Sequence, residues 1–210
     1  SAILPVNIFG VPGDLDAYQR LADEYELSLL YDSAQGLGST YKGRSVGTFG
    51  RGEMFSLSPT KVVTAMEGGI VTTNDEALAA RVRAMRDYGK APDGEDFHWL
   101  GLSARMSEFN AMVGRWSLTR IDNWIAQRTA LMDRYYQRLS GIPGVSFQKI
   151  PDDCTSSRNY INILLDPEEA PMTRNELYKE LKVRGVQTKR YFYPALHEQT
   201  LFRNIEPLSG

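Results

Sequence analysis

Lys61 is the residue whose neighbours most clearly prepare it for chemistry. It ends the run Phe55-Ser56-Leu57-Ser58-Pro59-Thr60-Lys61, and Glu67-Gly68-Gly69 follows just ahead of the apolar pair Ile70-Val71. A lysine amine becomes a useful nucleophile, able to form an imine with an aldehyde, when desolvation or nearby cations lower its pKa. Ser56 and Ser58 offer hydroxyls to a phosphate, and the glycine pair lets backbone approach a ligand closely. Taken alone, such a stretch is more often a serine-rich turn carrying a solvated lysine. A second stretch answers it. Leu27-Ser28-Leu29-Leu30-Tyr31 reads as a short strand and ends on Asp32-Ser33-Ala34-Gln35. In open α/β sheets ligands collect at the carboxyl ends of strands, so an acid and an amide are expected where Lys61 can point.

The elements that must position these groups follow from pattern. Residues 2–6 form a strand pattern, Gly10-Val11-Pro12-Gly13 is turn chemistry, and Asp14 is placed to cap a helix from Leu15 to about Tyr25. Leu15, Tyr18, Leu21, Ala22 and Tyr25 fall at helical spacing and predict one buried stripe. Strand, helix and the strand ending at Asp32 make a βαβ unit, right-handed and parallel by the usual rule. Between Gln35 and Phe55 the many glycines read as loop and hairpin, and their spacing matches neither a P-loop nor a dinucleotide fingerprint. Asn74-Asp75 caps a helix from Glu76 to about Tyr88, with Leu78, Val82 and Met85 on its apolar face.

From Ser107 to about Leu139 the pattern is helix or a broken pair of helices, long enough to bridge two domains, and Gly141-Ile142-Pro143-Gly144 ends it. Strands are predicted near Val145–Phe147, Tyr160–Leu165 and Val186–Tyr191. A helix from Thr173 to Val183 opens on a capping box of Thr173 and Glu176. This rhythm is that of a small α+β domain.

Composition narrows the function. With 210 residues, 42% hydrophobic, the chain has material for one large domain or somewhat more. A net charge of −2, with acids and bases interspersed, excludes the clustered basic face of a nucleic-acid binder. The one cysteine, Cys154, excludes an intrachain disulfide and fits a reducing compartment. No apolar run is long enough for a bilayer and the N-terminus lacks signal-peptide regions, so a soluble, cytoplasmic protein is expected. No His, Cys or carboxylate set has metal-ligand spacing. His98 lies in a polar loop with no partner at fixed spacing, which is the setting of an exposed histidine.

Several of these stretches together carry a resemblance. Tyr31-Asp32-Ser33-Ala34-Gln35, Gly43-Arg44-Ser45-Val46-Gly47, the run from Phe55 to Lys61, and Glu67-Gly68-Gly69-Ile70-Val71-Thr72-Thr73-Asn74 match in order and spacing. Over nearly its whole length the chain resembles the DegT/DnrJ/EryC1/StrS family of pyridoxal-phosphate-dependent sugar aminotransferases. The resemblance implies an α/β chain of the aspartate-aminotransferase-like (fold type I) class: the C-terminal part of a large-domain sheet over residues 1–122, then a bridging helix and a small, truncated α+β domain over 123–210. It implies a homodimer that moves an amino group from an amino-acid donor to a keto-deoxysugar linked to a nucleotide.

The same resemblance assigns roles. Lys61 would hold pyridoxal 5′-phosphate covalently and move the proton, Asp32 would pair with the pyridine nitrogen, Gln35 would touch the ring and Ser56 the phosphate. Family members that dehydrate a deoxysugar carry histidine at the lysine position, so Lys61 points to amino transfer. Gly101-Leu102-Ser103-Ala104-Arg105 is similar to a family segment with asparagine at its third position, which reaches the neighbouring subunit's cofactor phosphate. Ser103 stands there and is a shorter donor. Tyr191-Phe192-Tyr193-Pro194-Ala195-Leu196-His197 resembles a segment that closes over the substrate. The family's N-terminal phosphate loop and stacking aromatic find no counterpart, and the chain stops at Leu208-Ser209-Gly210, so a fragment of a longer enzyme is expected. The alternative is a catalytically incomplete fragment with a binding role or none.

Overall fold

Asp14, one residue ahead of the first helix, shows how local sequence sets this fold: its Oδ1 accepts the Ala17 N–H at 2.9 Å and starts the helix where the sequence predicts. The structure is a computed structural model and describes residues 1–203. It runs β1 (Ala2–Ile3), α1 (Leu15–Glu24), β2 (Ser28–Asp32), β3 (Thr40–Tyr41), β4 (Arg44–Ser45), β5 (Gly52–Ser56) and β6 (Gly69–Thr72). Helices α2 (Glu76–Met85), α3 (Glu108–Leu118) and α4 (Ile121–Leu139) come next. Then follow β7 (Val145–Phe147), β8 (Cys154–Thr155), β9 (Ile163–Leu165) and α5 (Arg174–Val183).

The main sheet has the order β1-β2-β5-β6. Strands β1 and β2 pair in parallel through Ala2↔Ser28, as the βαβ reading requires, and β2 pairs in parallel with β5 through Asp32↔Met54. Strand β6 runs back against β5, with Ser56 opposite Gly69. Because the side-chain period of a strand is two, Leu29 and Tyr31 of β2 are buried on one face. They pack with Leu15 and Ala22 of α1 and with Tyr41 and Cys154. The stripe on α1 is narrower than predicted: Leu21 is 44% and Tyr25 62% exposed, because α1 meets the sheet along the line of Leu15, Tyr18 and Ala22.

Between Gln35 and Phe55 the hairpin reading is right for β3 and β4, which pair antiparallel. A third strand joins them that the sequence did not announce: β8 pairs with β3 through Tyr41↔Cys154. The long helical stretch breaks between α3 and α4, where Thr119 Oγ1 donates to the Trp116 carbonyl at 2.7 Å and ends the first helix. Strands β7 and β9 form a two-stranded sheet. Thr173 and Glu176 cap α5 reciprocally, as predicted.

The chain forms two compact units. The first comprises Ser1–Arg138 and Phe147–Asn162, the second Leu139–Ser146 and the described residues from Ile163 onward. In the second unit Arg190 stacks over Tyr178 at 4.8 Å and over Tyr193 at 4.4 Å. The strand expected near Val186–Tyr191 does not form: residues 186–190 take no regular structure, with no strand among the described residues to pair their backbone groups. The chain end at residues 208–210 lies outside the described residues. No helix among the described residues is long and apolar enough to cross a membrane.

Candidate functional site

The site grows from the carboxyl ends of two adjacent parallel strands. Asp32 closes β2 and Ser56 closes β5, and the register Asp32↔Met54 places Ser56 two residues beyond the partner of Asp32. Past Ser56 the chain makes a loop that carries Lys61 and returns as β6. Its base is closed by Leu57 N–H to Gly68 O at 2.9 Å, and Ala65 N–H donates to Leu57 O at 2.9 Å. Leu57, Val63 and Ala65 are buried as one cluster, against which Leu37, Met106 and Ile121 pack. Burying three side chains of a short loop removes its freedom, so Lys61 is a half-buried residue on a fixed support.

Helix α3 presses on the same loop. Asn110 Nδ2 donates to Ala65 O at 2.6 Å and to Glu67 O at 2.9 Å. Gly114 admits Ala65 closely: a Cβ at Gly114 would stand 3.1 Å from the Ala65 Cβ.

Of the predicted site residues, Lys61, Asp32, Gln35 and Ser56 all lie on the two loops and strand ends that follow β2 and β5. Lys61 makes no ion pair among the described residues, and its N–H donates to Ser58 O at 3.1 Å. Asp32 Oδ1 accepts the Ala34 N–H at 3.0 Å, an Asx turn that aims the carboxylate and leaves Oδ2 without a protein donor among the described residues. Gln35 spends its side-chain oxygen on the Phe9 N–H at 2.6 Å, so only its NH2 group remains to meet a ligand. Ser56 Oγ and Ser58 Oγ are 3.2 Å apart, a paired hydroxyl cluster at the end of β5.

Ser103 was expected to act on the neighbouring subunit's cofactor, and within the single chain it is held by backbone alone among the described residues. It is exposed, bridges by backbone to Asp87, and shares no hydrogen bond with the other candidates. Arg105 is an ion-pair residue, 3.2 Å from Asp87 Oδ1 and stacked on Tyr88 at 5.1 Å. His98 faces Asp96 at 3.7 Å. His197 is exposed in a short 3-10 turn of the second unit.

Sequence reasoning missed two supports. Glu53 is 0% exposed, and its Oε1 accepts the Gly47 N–H at 2.6 Å and the Phe49 N–H at 2.9 Å. Its Oε2 accepts from Ser33 Oγ at 2.7 Å, next to Asp32, and Asn7 Nδ2 donates to that same hydroxyl at 2.9 Å. The second is Asn159, 3% exposed, whose Oδ1 accepts the Val62 N–H at 3.0 Å. An acid inside a glycine-rich stretch at strand spacing was the one available sign of Glu53. Nothing local marks Asn159.

The chain is similar to several known proteins over nearly its whole length. EryC1 of Saccharopolyspora erythraea, an erythromycin biosynthesis sensory transduction protein, is 34% identical over 207 residues, which is 98% of this chain and 54% of the relative. The dTDP-3-amino-3,4,6-trideoxy-α-D-glucose transaminase of Streptomyces venezuelae is 31% identical over 210 residues, 100% of this chain and 54% of that protein. The crystal structure of DesI in the presence of its TDP-sugar product superposes with a TM-score of 0.91 at 33% identity, covering 100% of this chain and 53% of DesI. The chain thus spans about half the length of the curated relatives it matches. The fold is accordingly that of the α/β sugar aminotransferases. The match to the family extends over residues 1–209, and the chain belongs to the DegT/DnrJ/EryC1/StrS aminotransferase family.

Proposed function

We propose that this protein acts as a pyridoxal-phosphate-dependent aminotransferase that moves an amino group from an amino acid to a keto-deoxysugar linked to a nucleotide, as a cytoplasmic homodimer. The observation that carries the reading is the placement of Lys61 on a core-anchored loop at the end of β5, beside the strand that ends in Asp32. Exposed Phe109, Met112 and Trp116 on α3 support a subunit interface.

The donor set fits the cofactor. An aldehyde needs an amine not already committed to an ion pair, a pyridinium nitrogen needs a carboxylate oxygen, and a phosphate needs hydroxyl donors. Lys61, Asp32 Oδ2 and the Ser56–Ser58 pair meet these requirements in turn. When bound, the cofactor supplies a conjugated ring that takes up the electron pair left as the donor's α-proton departs.

The chain's own residues do the rest. Lys61 Nζ would hold the aldehyde carbon, and once released as a free amine would move the proton from the donor's α-carbon to the cofactor's C4′, so that the donor can leave as its keto acid. Asp32 would keep the ring nitrogen protonated, because a carboxylate stabilises the adjacent positive charge where a neutral side chain would not. Ser56 would donate to the phosphate and the Gln35 NH2 group to the ring oxygen. The second half-reaction delivers the amine to the keto sugar with Lys61 again moving the proton.

The test is optical and chemical. Purified protein incubated with pyridoxal phosphate gains a visible absorption band, and borohydride reduction leaves the cofactor's mass on the peptide containing Lys61. A colourless protein with an unmodified Lys61 peptide overturns the proposal.

A further inference from the structure

Residues 156–159 cross both loops of the candidate site. Ser157 N–H donates to Ser39 Oγ at 2.8 Å and Ser157 Oγ donates to Gln35 O at 2.6 Å, which ties the segment to the loop after β2. Two residues on, Asn159 Oδ1 accepts the Val62 N–H at 3.0 Å, across a sequence separation of 97 residues, which ties it to the loop after β5. Arg128 of α4 braces the segment from behind, its Nη1 donating to Arg158 O at 3.4 Å and to Asn159 O at 3.2 Å. The crossing is tight: Gly10, at φ +81°, lies so close that a Cβ there would stand 2.0 Å from Ser157 Oγ.

The bond to Val62 falls on a telling peptide. The Val62 N–H and the Lys61 carbonyl share one rigid plane, so holding that N–H fixes the ψ angle of Lys61. The preceding plane is held by Lys61 N–H to Ser58 O at 3.1 Å. Both peptides flanking Lys61 are therefore anchored, and the direction in which its side chain leaves the backbone is set by one local bond and one distant side chain.

Asn159 also shows an imbalance. Its Nδ2 is buried with no hydrogen-bond partner among the described residues, while its Oδ1 is engaged. A buried amide with an unmade donor is unfavourable, and an apolar side chain of similar size would avoid that cost. The amide is useful at this position for its oxygen.

We propose that Asn159 is a positioning residue for Lys61, holding the Lys61–Val62 peptide so that the amine is presented in one direction. This rests on Lys61 being the reactive amine, and the test separates the two ideas. In cofactor-free protein, hydrogen exchange of the Val62 amide and the acylation rate of Lys61 relative to the other lysines are measured by mass spectrometry for wild type, N159A and N159D. Loss of the acceptor in N159A is expected to speed Val62 exchange by about tenfold, the net worth of one hydrogen bond, and to change the relative acylation of Lys61. N159D keeps the oxygen and is expected to restore both toward wild type. Should N159A fail to fold, N159L keeps the volume without the acceptor and is read in the same way. In transaminase assays N159A lowers kcat more than it raises KM, and N159D recovers part of the loss. Folded N159A or N159L with Val62 exchange and Lys61 acylation as in wild type overturns the positioning role. Wild type that binds no cofactor, while N159A still differs from it in Val62 exchange and Lys61 acylation, overturns the aminotransferase reading and leaves the anchoring of the loop intact.

Discussion

Ser33 Oγ donates to Glu53 Oε2 at 2.7 Å across the paired strands β2 and β5, and both residues are fully buried. The bond lies one residue past Asp32, so the carboxylate that holds the two strands together also holds the end of β2 on which Asp32 sits. Replacing Glu53 by alanine leaves the Gly47 and Phe49 N–H groups without their acceptor. The expected cost is about 3 kcal/mol of stability, from these two part-buried amides and the buried Ser33 hydroxyl left unmet. Glu53→Gln keeps an oxygen for those amides and is expected to cost about 1 kcal/mol. Urea unfolding midpoints measure both, and an alanine variant as stable as wild type would contradict the assignment.

Lys61→Ala is expected to remove the visible band and the amino transfer while leaving the fold almost untouched. The side chain is half-buried with no ion pair among the described residues, so stability should stay within about 0.5 kcal/mol of wild type. Lys61→Arg keeps the charge without the primary amine and is expected to lose the band as well. Retention of the band in either variant would move the covalent site to another lysine.

The loop beneath Lys61 depends on α3. Asn110→Ala unpairs the Ala65 and Glu67 carbonyls and is expected to cost about 1–2 kcal/mol. Gly114→Val forces a side chain against Ala65, whose Cβ would lie only 3.1 Å from the new Cβ, and overpacking of this kind costs about 1–3 kcal/mol. Thermal melts of the two variants check these figures, and the double variant tests whether they couple through the shared loop.

Asp75 caps α2, and its carboxyl is held below the usual range first by the Leu78 N–H and then by Arg51. The folded state therefore prefers the charged form. The stability this contributes is present above the unfolded carboxylate pKa and is lost as pH falls through the lower folded value. Asp75→Asn should lower the urea midpoint at about pH 7, and the gap to wild type should close in acid. A gap that is constant with pH would count against the cap as the source.

Burial, with help from Asp153, pushes the Cys154 thiol up to about 11. Maleimide labelling near pH 8 should therefore run about a hundredfold slower in folded than in unfolded protein, following the thiolate fraction. The linkage has the opposite sense to that of Asp75: stability falls as pH rises between the unfolded and folded thiol values. Rapid labelling of folded protein would show that β8 opens readily.

What was legible in the sequence was what short stretches decide for themselves. Asp14, Asp75 and the Thr173–Glu176 pair cap helices through donors a few residues away, and all three were foreseen. The run to Lys61 and the strand end at Asp32 were visible because strand ends and hydroxyl-rich turns have local signatures. Glu53 was hidden because an acid in a glycine-rich stretch reads as solvated until Gly47, Phe49 and Ser33 are folded around it. Strand β8 is too short to carry a periodicity, and Thr155 meets Thr40 across 115 residues. Val186 and its neighbours had the composition of a strand and lacked a partner strand among the described residues, which composition does not record.

Strand β6 returns antiparallel beside β5, so the Lys61 loop leaves and re-enters the sheet at the facing residues Ser56 and Gly69. Such a segment is a tethered ring, and the entropy of closing it is lost when the hairpin folds rather than when a ligand arrives. Ordering the amine for a bound aldehyde then requires stilling only the bonds of one side chain, about 2 kcal/mol for a lysine. Affinity at this position is thereby partly prepaid by the ladder between two strands that need never touch the ligand.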